Sequence, residues 1–370
     1  MSATDVRGDM VSPGSRLAAQ RVQAWLGWLA KGIAAAAVLF ALGWVLFYAR
    51  RTNFGPLIED PRSFFVTLLN GVTQAGLLFI VASGFSLIFG LMRVVNMAHG
   101  SFYLLGGYVA YEVQQRMTGQ GFGIAGTEVN SVEWLLPALA AAFAIGAVGL
   151  VVQQTLLRWN QGQELRQALI TIAVSVVIAD QVIAHFEEGR AVNVTWPGWS
   201  ARLVDLHVFD IQYSLARLVV LALGVGVGVA LWLWLYRTRT GLVIRAGVDD
   251  QQMTSALGVN IQRTFAIAFV VGSALAAFGG VVGASQGSVA SGQDGQWLLN
   301  SLVVVIIGGL GSLFGAAAGA LLYGLVFSFS SVYLPTTSDN CCTQYSIVFT
   351  FVLLALVLAF RPQGLFGRAG

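Results

Sequence analysis

The side chains in this sequence that are most able to bind a solute or take part in chemistry are polar groups set inside long apolar runs. Asn70, Thr73 and Gln74 stand at positions i, i+3 and i+4, so a helix would bring all three to one face. They can line a hydrophilic path for a zwitterionic solute. They can equally hydrogen-bond to neighbouring helices, which contributes about 1 kcal/mol or less for each bond. Both interpretations stay open on these residues alone.

A second polar group, Arg93, Asn96 and His99, falls between two apolar runs. Unwound backbone at this point would offer amides and carbonyls to a ligand, which indicates an inner gate or a break beside the substrate. The alternative is a tight cytoplasmic turn in which Asn96 and His99 cap the next helix. Neither interpretation makes His99 a proton carrier.

Asp180 is the acid that lies well inside an apolar run. An ion-coupled secondary carrier needs a carboxylate at membrane depth, so Asp180 is the main argument for that class of protein. Gln181 and His185 follow it towards the outer end of the run. This favours a side chain that reaches the membrane interface.

Motifs for nucleotide hydrolysis and metal binding are missing. A P-loop requires Gly-x-x-x-x-Gly-Lys-Ser/Thr, and the single lysine, Lys31, has no such frame. The histidines, His99, His185 and His207, are all distant from cysteine, unlike the ligands of typical metal sites. We therefore expect no catalytic residue, no metal and no cofactor in this chain.

The composition sets the broad class. Of the 370 residues, 56% are hydrophobic and 10% are charged, whereas soluble domains carry about 25% charged residues. This excludes a disordered chain, a disulfide-stapled secreted module and an ordinary cytosolic enzyme. The net charge of +3 and the scarcity of lysine leave no basic surface for nucleic acid.

Apolar runs near 20 residues long predict helices that cross a membrane. The predicted spans are Gly32–Tyr48, Phe64–Phe89, Ala98–Val113, Trp134–Leu157, Leu165–Ala184, Leu215–Tyr236, Phe265–Ser285, Trp297–Ile307, Leu313–Ser330 and Tyr345–Phe360. Trp297–Ile307 is too short to cross unaided, and we expect a half-helix or re-entrant element there. The predicted fold is an all-α, polytopic integral membrane helical bundle of about eight to ten transmembrane helices.

The distribution of basic residues predicts the orientation. With the N-terminus inside, most of the 20 basic residues fall on the inner side, while the largest outer loop, His185–Tyr213, is rich in acids. The positive-inside rule then places both termini in the cytoplasm.

The longest inner loop, Arg237–Thr264, is the segment that could act as a soluble functional element. Asp249 and Asp250 suit the start of a short helix, and Gly258 can adopt the left-handed conformation that ends one. On charge pattern alone, a simple connector is favoured over a helix that docks a partner.

Small residues recur at four-residue spacing in two predicted helices, and such rows let helix backbones approach closely. The rows are Gly272, Ala276, Gly280 and Ala284, and then Gly311, Gly315 and Gly319. Packing within this chain and packing against a sister subunit both fit the pattern.

Four stretches occur in an order typical of one family. They are Gly84–Gly100 with Gly106-Gly107-Tyr108; Arg245-Ala246, Asp250, Met253, Leu257-Gly258-Val259-Asn260 and Arg263; Gly308–Ser312 with Gly315; and Arg361–Gly367. Together they resemble the branched-chain amino acid (Liv-type) ABC importer permeases. Gln252-Met253-Thr254 stands where importers in general have Glu-Ala-Ala, a departure that is usual for Liv-type members.

The resemblance implies a permease subunit of an ATP-driven importer in the bacterial inner membrane. Its partners would be a second homologous permease, two cytoplasmic ATPase subunits that hydrolyse ATP, a periplasmic substrate-binding protein, a small-molecule substrate and membrane lipid. Arg245, Asp250, Gly258 and Arg263 correspond to the coupling loop of the family. The implied substrate is a branched-chain or related amino acid. Similar permeases carry urea, short amides and other small organic solutes, so those substrates remain alternatives.

On this basis the chain divides into four parts. Residues 1–31 are predicted to be a cytoplasmic tail, and 32–63 an extra N-terminal transmembrane helix with an outer loop. Residues 64–360 form the permease transmembrane domain, with the coupling loop at 237–264. Residues 361–370 are a cytoplasmic C-terminal tail.

Overall fold

A computed structural model of the chain describes residues 61–119, 129–186, 190–205, 211–333 and 345–367. Its α-helices are α1 Pro61–Met92, α2 His99–Thr118, α3 Ser131–Val152, α4 Glu164–His185, α5 Leu215–Arg237, α6 Arg239–Asp249, α7 Gln251–Ala256, α8 Ile261–Gln286, α9 Asp294–Gly308, α10 Leu313–Tyr333 and α11 Tyr345–Phe360. A π-helical turn, Gln153–Leu157, and a 3₁₀ turn, Arg158–Asn160, continue α3. A second 3₁₀ turn spans Gly198–Ala201, and β1 Leu203–Asp205 pairs antiparallel with β2 Gln212–Ser214.

The all-α prediction is confirmed, and each predicted span from Phe64 onwards corresponds to a helix whose ends differ by a few residues. Six of the described helical segments are long and apolar enough to cross a membrane, while α9 and the apolar part of α11 are shorter. The predicted span Gly32–Tyr48 lies outside the described residues.

Helices α1 and α8 form the centre of the bundle. In the most apolar window of each, 78% of the residues of α1 and 67% of those of α8 are buried, against 17% in α4 and 22% in α5. Small residues explain the close packing of the two central helices. A Cβ atom at Gly272 of α8 would lie 2.6 Å from the side chain of Ile88 in α1. The peripheral helices instead expose large apolar side chains such as Val176 and Val225, as expected of surfaces that face lipid.

Local hydrogen bonds set where several helices begin and end. The backbone N–H of Asn130 donates to Glu133 Oε2 at 2.8 Å in the first turn of α3, which is one half of a capping box. Asn260 Oδ1 accepts from the N–H of Arg263 at 3.2 Å and caps α8. Gly119 has φ +64° and ends α2 in the left-handed conformation.

Two helices begin inside the bundle instead of at its surface. His99, the first residue of α2, places Nε2 3.0 Å from the carbonyl oxygen of Val81, which lies roughly 16 Å along α1 from Met92. The chain therefore returns into the bundle between α1 and α2. The 15 residues of α9 span about 22 Å, less than the roughly 30 Å hydrocarbon core of a bilayer. The half-helix expected at Trp297–Ile307 matches α9.

We call the end of the bundle at Met92, Arg237 and Gly311 the coupling end. Gly308 packs against the backbone of Gly315, and a Cβ atom on Gly311 would lie 2.9 Å from Gly90 Cα. Gly309 and Gly311 have φ of +108° and +78°, which favours glycine at the reversal between α9 and α10. The opposite end contains the first turn of α5 and the last turns of α8 and α10.

Candidate functional site

A polar cavity of about 260 Å³ opens at the opposite end, between α1, α5, α8 and α10. Its lining residues are Asn70, Thr73, Gln74, Arg217, Gln286, Phe327, Ser328, Ser331 and Val332. Asn70, Thr73 and Gln74 therefore share one face, as their spacing indicates. Because α1 begins at Pro61, they lie in its third turn and beyond.

Hydrogen bonds hold the polar groups of this cavity in place. Tyr213 donates its hydroxyl to Asn70 Oδ1 at 3.1 Å, so Thr73 Oγ1, 3.0 Å away, donates to Tyr213. Arg217 Nη1 also donates to Asn70 Oδ1, and its guanidinium carbon lies 5.8 Å from the centroid of the Tyr213 ring. Residues of α1, β2 and α5 thus form one hydrogen-bonded network. Among the described residues, no carboxylate forms an ion pair with Arg217.

This arrangement gives the cavity a cationic and hydrogen-bonding character. A guanidinium carries five N–H donors in a planar fork that matches a carboxylate. Asn70 uses one of them, and the amides of Gln74 and Gln286 with two serine hydroxyls supply further polar contacts. Phe327 and Val332 supply apolar wall. The cavity can therefore accept a small solute that has an anionic or polar head and an apolar side chain.

Sequence reasoning did not identify Arg217 or Tyr213 as site residues. A signal for Arg217 existed, because arginine inside an apolar run is costly and a cation in the first turn of a helix opposes the helix dipole. Tyr213 had no comparable signal. It reaches Asn70 from 143 residues away in the sequence through strand β2, which packs beside α5.

A second cavity of about 610 Å³ lies between α1, α5 and α10. Its lining includes Phe79, Leu221, Val225 and Phe314 and contains no charged side chain. It offers a polar solute almost no hydrogen-bond partner. We therefore place the candidate site at the polar cavity.

The segment between α1 and α2 separates the three polar residues assigned to it. Arg93 is exposed with φ +54°, whereas Asn96 and His99 are buried. Asn96 Oδ1 accepts from the N–H of Ala98 at 3.1 Å, but the N-cap residue of α2 is Ala98, which has no side-chain cap bond. His99 does not cap, because its ring packs edge-on against Phe85 and bonds to the Val81 carbonyl. The segment does not stay at the surface as a simple turn would, because His99 lies beside Val81 inside the bundle. An inner gate at this segment stays a prediction.

The coupling loop contains two helices, α6 and α7. Asp250 Oδ1 accepts from the N–H of Met253 at 3.0 Å and caps α7, as expected. Asp249, which we also expected at the start of a helix, is instead the last residue of α6. Gly258 has φ +84° just beyond α7, as predicted. Met253 and Leu257 are 62% and 78% exposed. They stand i, i+4 apart and form an apolar contact surface on the outside of the coupling end.

Arginines 245 and 263 take different positions in the same loop. Arg245 Nε donates to the carbonyl of Leu235 at 3.1 Å and its guanidinium carbon lies 4.4 Å from the Tyr236 ring centroid. This contact ties α6 to the end of α5. The backbone N–H of Arg263 is the donor that Asn260 caps.

The small-residue rows pack within this chain. Gly272 meets Gly84 and Ile88 of α1, and Gly280 meets the backbone of Tyr103 and Gly107 in α2. Gly311 meets Gly90, Gly315 meets Gly308, and Gly319 meets the Val304 carbonyl. Of the two alternatives, the structure therefore places these five glycines in contacts inside the subunit.

Asp180 lies away from the polar cavity. It is exposed in the second half of α4, near the end of that helix at His185. This is where a carboxylate that reaches the interface is expected.

The four family-like stretches converge at the coupling end. Gln251 Nε2 donates to the carbonyl of Leu91, and Gly90 packs on Gly311. The N–H groups of Leu365 and Phe366 donate to the carbonyls of Ile307 and Gly308, each at 2.9 Å. Segments that are far apart in the sequence thus build a single structural unit.

Comparison with known proteins supplies the family. A family described as "Branched-chain amino acid transport system / permease component" matches residues 67–358. The high-affinity branched-chain amino acid transport system permease protein BraD of Pseudomonas aeruginosa is 28% identical over 306 residues, which cover 81% of this chain and 95% of BraD.

Two further relatives show the range of the similarity. The corresponding permease protein LivH of Escherichia coli K12 is 28% identical over 312 residues, 82% of this chain and 96% of LivH. The ribose import permease protein RbsC of Escherichia coli K12 is 26% identical over 300 residues, 80% of this chain and 86% of RbsC. These relatives are transport permeases by name, and they are not enzymes.

The family match spans most of the chain, and it agrees with the resemblance carried by the four stretches. Together with the six apolar helices, it makes the protein a multi-pass protein of the inner membrane. The chain belongs to the family of permease components of branched-chain amino acid transport systems.

Proposed function

We propose that the chain is the permease subunit of an ABC importer and translocates branched-chain or closely related amino acids. The observation that carries the substrate class is the polar cavity with its fixed Arg217, Asn70 and Tyr213. The guanidinium and amide groups suit the carboxylate of an amino acid. The apolar wall at Phe327 and Val332 suits an aliphatic side chain. Urea and short amides lack the carboxylate, so they would form fewer contacts with the polar groups of this cavity.

The proposed energy source is ATP hydrolysed by two separate cytoplasmic ATPase subunits. Met253 on α7 and Leu257 directly after it are exposed at the coupling end, where they can dock on an ATPase surface. Helix α6 contacts α1 and α5, so a movement of α7 reaches the bundle through packed helices. Differential affinity of the ATPase for two states of the bundle would supply the drive.

The remaining partners follow from the same proposal. A periplasmic binding protein delivers substrate at the end that contains the polar cavity, and a second permease completes the membrane unit within the lipid bilayer. Both termini then lie in the cytoplasm, on the side of the coupling end. No cofactor is required in this chain, because ATP binds to the partner subunits.

The test is ATP-dependent leucine uptake into proteoliposomes that contain this chain, its second permease, the ATPases and the binding protein, with urea as competitor. We expect leucine uptake that urea does not reduce. Gly258→Pro should abolish it, because proline cannot adopt φ +84°. Gly258→Asn is the matched control, since asparagine tolerates the left-handed conformation.

Three results would contradict the proposal. Leucine uptake that proceeds without ATPase subunits and follows a proton or sodium gradient would indicate an ion-coupled carrier, and Asp180→Asn should then abolish it. Uptake of urea in preference to leucine would show that the substrate is a neutral solute and not an amino acid. Leucine uptake unchanged by Gly258→Pro would remove the coupling role of α7.

A further inference from the structure

Asp294 is an acid that the sequence places between two predicted spans and the structure places, partly buried, against the first turn of α2. It is the first residue of α9. Ser101 Oγ in α2 donates to Asp294 Oδ2 at 3.2 Å, and Ser101 lies 2.7 Å from Ser175 Oγ in α4. Because the proton of Ser101 points to Asp294, Ser175 donates to Ser101. The carboxylate therefore ends a short hydrogen-bonded chain that joins α9, α2 and α4.

The depth of Asp294 follows from its neighbours. Gly100 packs so closely on the backbone carbonyl of Asp294 that no side chain would fit there. The adjacent His99 bonds to Val81, which lies well inside α1. From Asp294, α9 runs about 22 Å to the coupling end. The first turn of α2 thus meets the first turn of the half-helix α9 at the depth of Val81 in the bundle, with the Asp294 carboxylate beside Ser101.

This carboxylate has no counter-ion in the part of the chain that the structure describes. The one ion pair found there joins Arg116 to Glu112. The N-terminus of α9 stabilises the negative charge in part. However, a charge at membrane depth is costly, and such charges face a water-filled cavity or pair with an opposite charge. One serine hydroxyl does not neutralise Asp294.

The surroundings of Asp294 are open on one side. The side chain is partly exposed, and Gly295 and Gln296 are exposed. A Cβ atom built on Gly292 or Gly295 would meet no heavy atom within 4 Å. Space for a ligand therefore lies next to the carboxylate.

Buried polar groups on the α2 side also lack partners. His99 Nδ1 and Asn96 Nδ2 have no hydrogen bond among the described residues, although His99 is 0% and Asn96 is 3% exposed. Buried polar atoms are paired in most proteins, so unpaired ones need an explanation. A ligand or water beside the first turn of α2 would supply one.

Side-chain contacts between α10 and α9 connect the wall of the cavity that contains Arg217 with the helix that begins at Asp294. Phe327 lines the cavity, and its ring stacks on Tyr323 with centroids 6.2 Å apart. Tyr323 donates to Asn300 Oδ1 at 2.8 Å, and Asn300 lies fewer than two turns after Asp294 on α9. The two sites are therefore linked through α10 and α9.

We propose that Asp294 binds the ammonium group of the substrate during translocation. The proposal rests on the function proposed above and defines its substrate class as α-amino acid zwitterions. Such a solute carries one anionic and one cationic group. The chain supplies a guanidinium at the cavity for the first and a carboxylate at depth for the second. A neutral solute such as urea gains nothing from a carboxylate without a counter-ion.

The experiment measures ATP-driven leucine uptake by the complete transporter in proteoliposomes, with the wild-type chain and three variants. Asp294→Asn keeps the shape and the hydrogen bond to Ser101 but removes the charge. We expect at least about a tenfold loss of uptake, in the range for bonds to charged groups. Asp180→Asn is the control for loss of an exposed membrane acid and should leave uptake unchanged. ATP hydrolysis and co-purification of the ATPases show whether each variant assembles.

Gly295→Met keeps the test decisive if Asp294→Asn does not assemble. A Cβ atom at this position would meet no heavy atom within 4 Å, so we expect the transporter to assemble and the added side chain beside Asp294 to reduce uptake. Normal leucine uptake by either assembled variant would overturn the role of Asp294 and leave the importer function intact. Absence of ATP-dependent leucine uptake by the wild type would overturn both. Uptake that depends on an ion gradient and disappears in Asp294→Asn would mean that Asp294 binds the coupling ion instead.

Discussion

The coupling end and the opposite end of the bundle are built in different ways. At the coupling end, glycines and backbone groups from four stretches of sequence contact one another directly, as in the packing of Gly90 on Gly311. At the opposite end, the polar cavity consists of side chains, and its network joins Asn70 to Tyr213 and Arg217 through hydrogen bonds. One end is defined by main-chain fit and the other by side-chain chemistry.

This difference indicates that coupling depends on backbone packing at one end of the bundle and that substrate use depends on side chains at the other. The coupling end would serve the ATPase subunits, and its geometry is set by main-chain contacts. The cavity would contact the solute, and relatives are named for solutes as different as branched-chain amino acids and ribose. Side chains can change there without altering helix packing. We therefore expect substitutions at the coupling end to affect folding or coupling, and substitutions at the cavity to affect substrate use.

The largest expected effect is on stability, from Gly308→Ala. The new Cβ atom would collide with the backbone of Gly315 and approach Ala316 N to 2.8 Å, and backbone cannot move aside as a side chain does. We expect a loss of about 1–3 kcal/mol or more in the free energy of unfolding, the usual cost of overpacking. Thermal unfolding of the purified chain in detergent measures it.

Gly226→Ala is the matched control for that substitution. Gly226 lies in α5, where an added Cβ atom meets nothing within 4 Å. Alanine is favoured over glycine in a helix by about 1 kcal/mol, so this variant should be as stable as the wild type or more so. Equal stability of Gly308→Ala and Gly226→Ala would show that main-chain fit does not define the coupling end.

The next effect concerns docking of the ATPase subunits. Met253→Ser combined with Leu257→Ser removes the exposed apolar surface at the end of α7. Full burial of one such side chain contributes about 1.5–3 kcal/mol, so we expect the affinity for the ATPases to fall at least about tenfold. Titration of the solubilised permease with ATPase subunits measures the change. Met253→Leu should keep the affinity, and an unchanged affinity of the double variant would place the docking surface elsewhere.

Much of this fold was predictable, because apolar runs and caps act locally. The ends of most spans, the half-helix α9 and the positive φ of Gly258 follow from residues within a few positions of one another. Arg217, Tyr213 and Asp294 depend on distant partners. Ser101 and Asp294 are 193 positions apart, and Asp294 reaches membrane depth only because the chain turns back into the bundle. Local patterns contain no information about such a return, so the sequence indicates Asp180, and not Asp294, as an acid inside a span.

At the cavity, Arg217→Gln should reduce leucine uptake about tenfold, since a bond between charged groups contributes more than a neutral one. Arg217→Lys should give an intermediate value, because a lysine ammonium keeps the charge but lacks the planar fork. Arg202, which is exposed and does not line the cavity, provides the control variant Arg202→Gln. Initial uptake rates over a range of leucine concentrations measure the effect. A rate unchanged in Arg217→Gln would exclude carboxylate binding at the cavity.

The smallest effect is expected from Thr73→Val, which removes one hydrogen bond to Tyr213. Interhelical hydrogen bonds in membranes contribute about 0.6 kcal/mol on average, so uptake should change only about twofold to threefold. A double-mutant cycle with Tyr213→Phe makes the result informative, because Tyr213 bridges Thr73 and Asn70. If the cavity is one network, the double variant will lose less than the sum of the single losses. Strictly additive losses would mean that the side chains of the cavity act independently. The cavity would then differ even more from the coupling end, where the backbone contacts depend on one another.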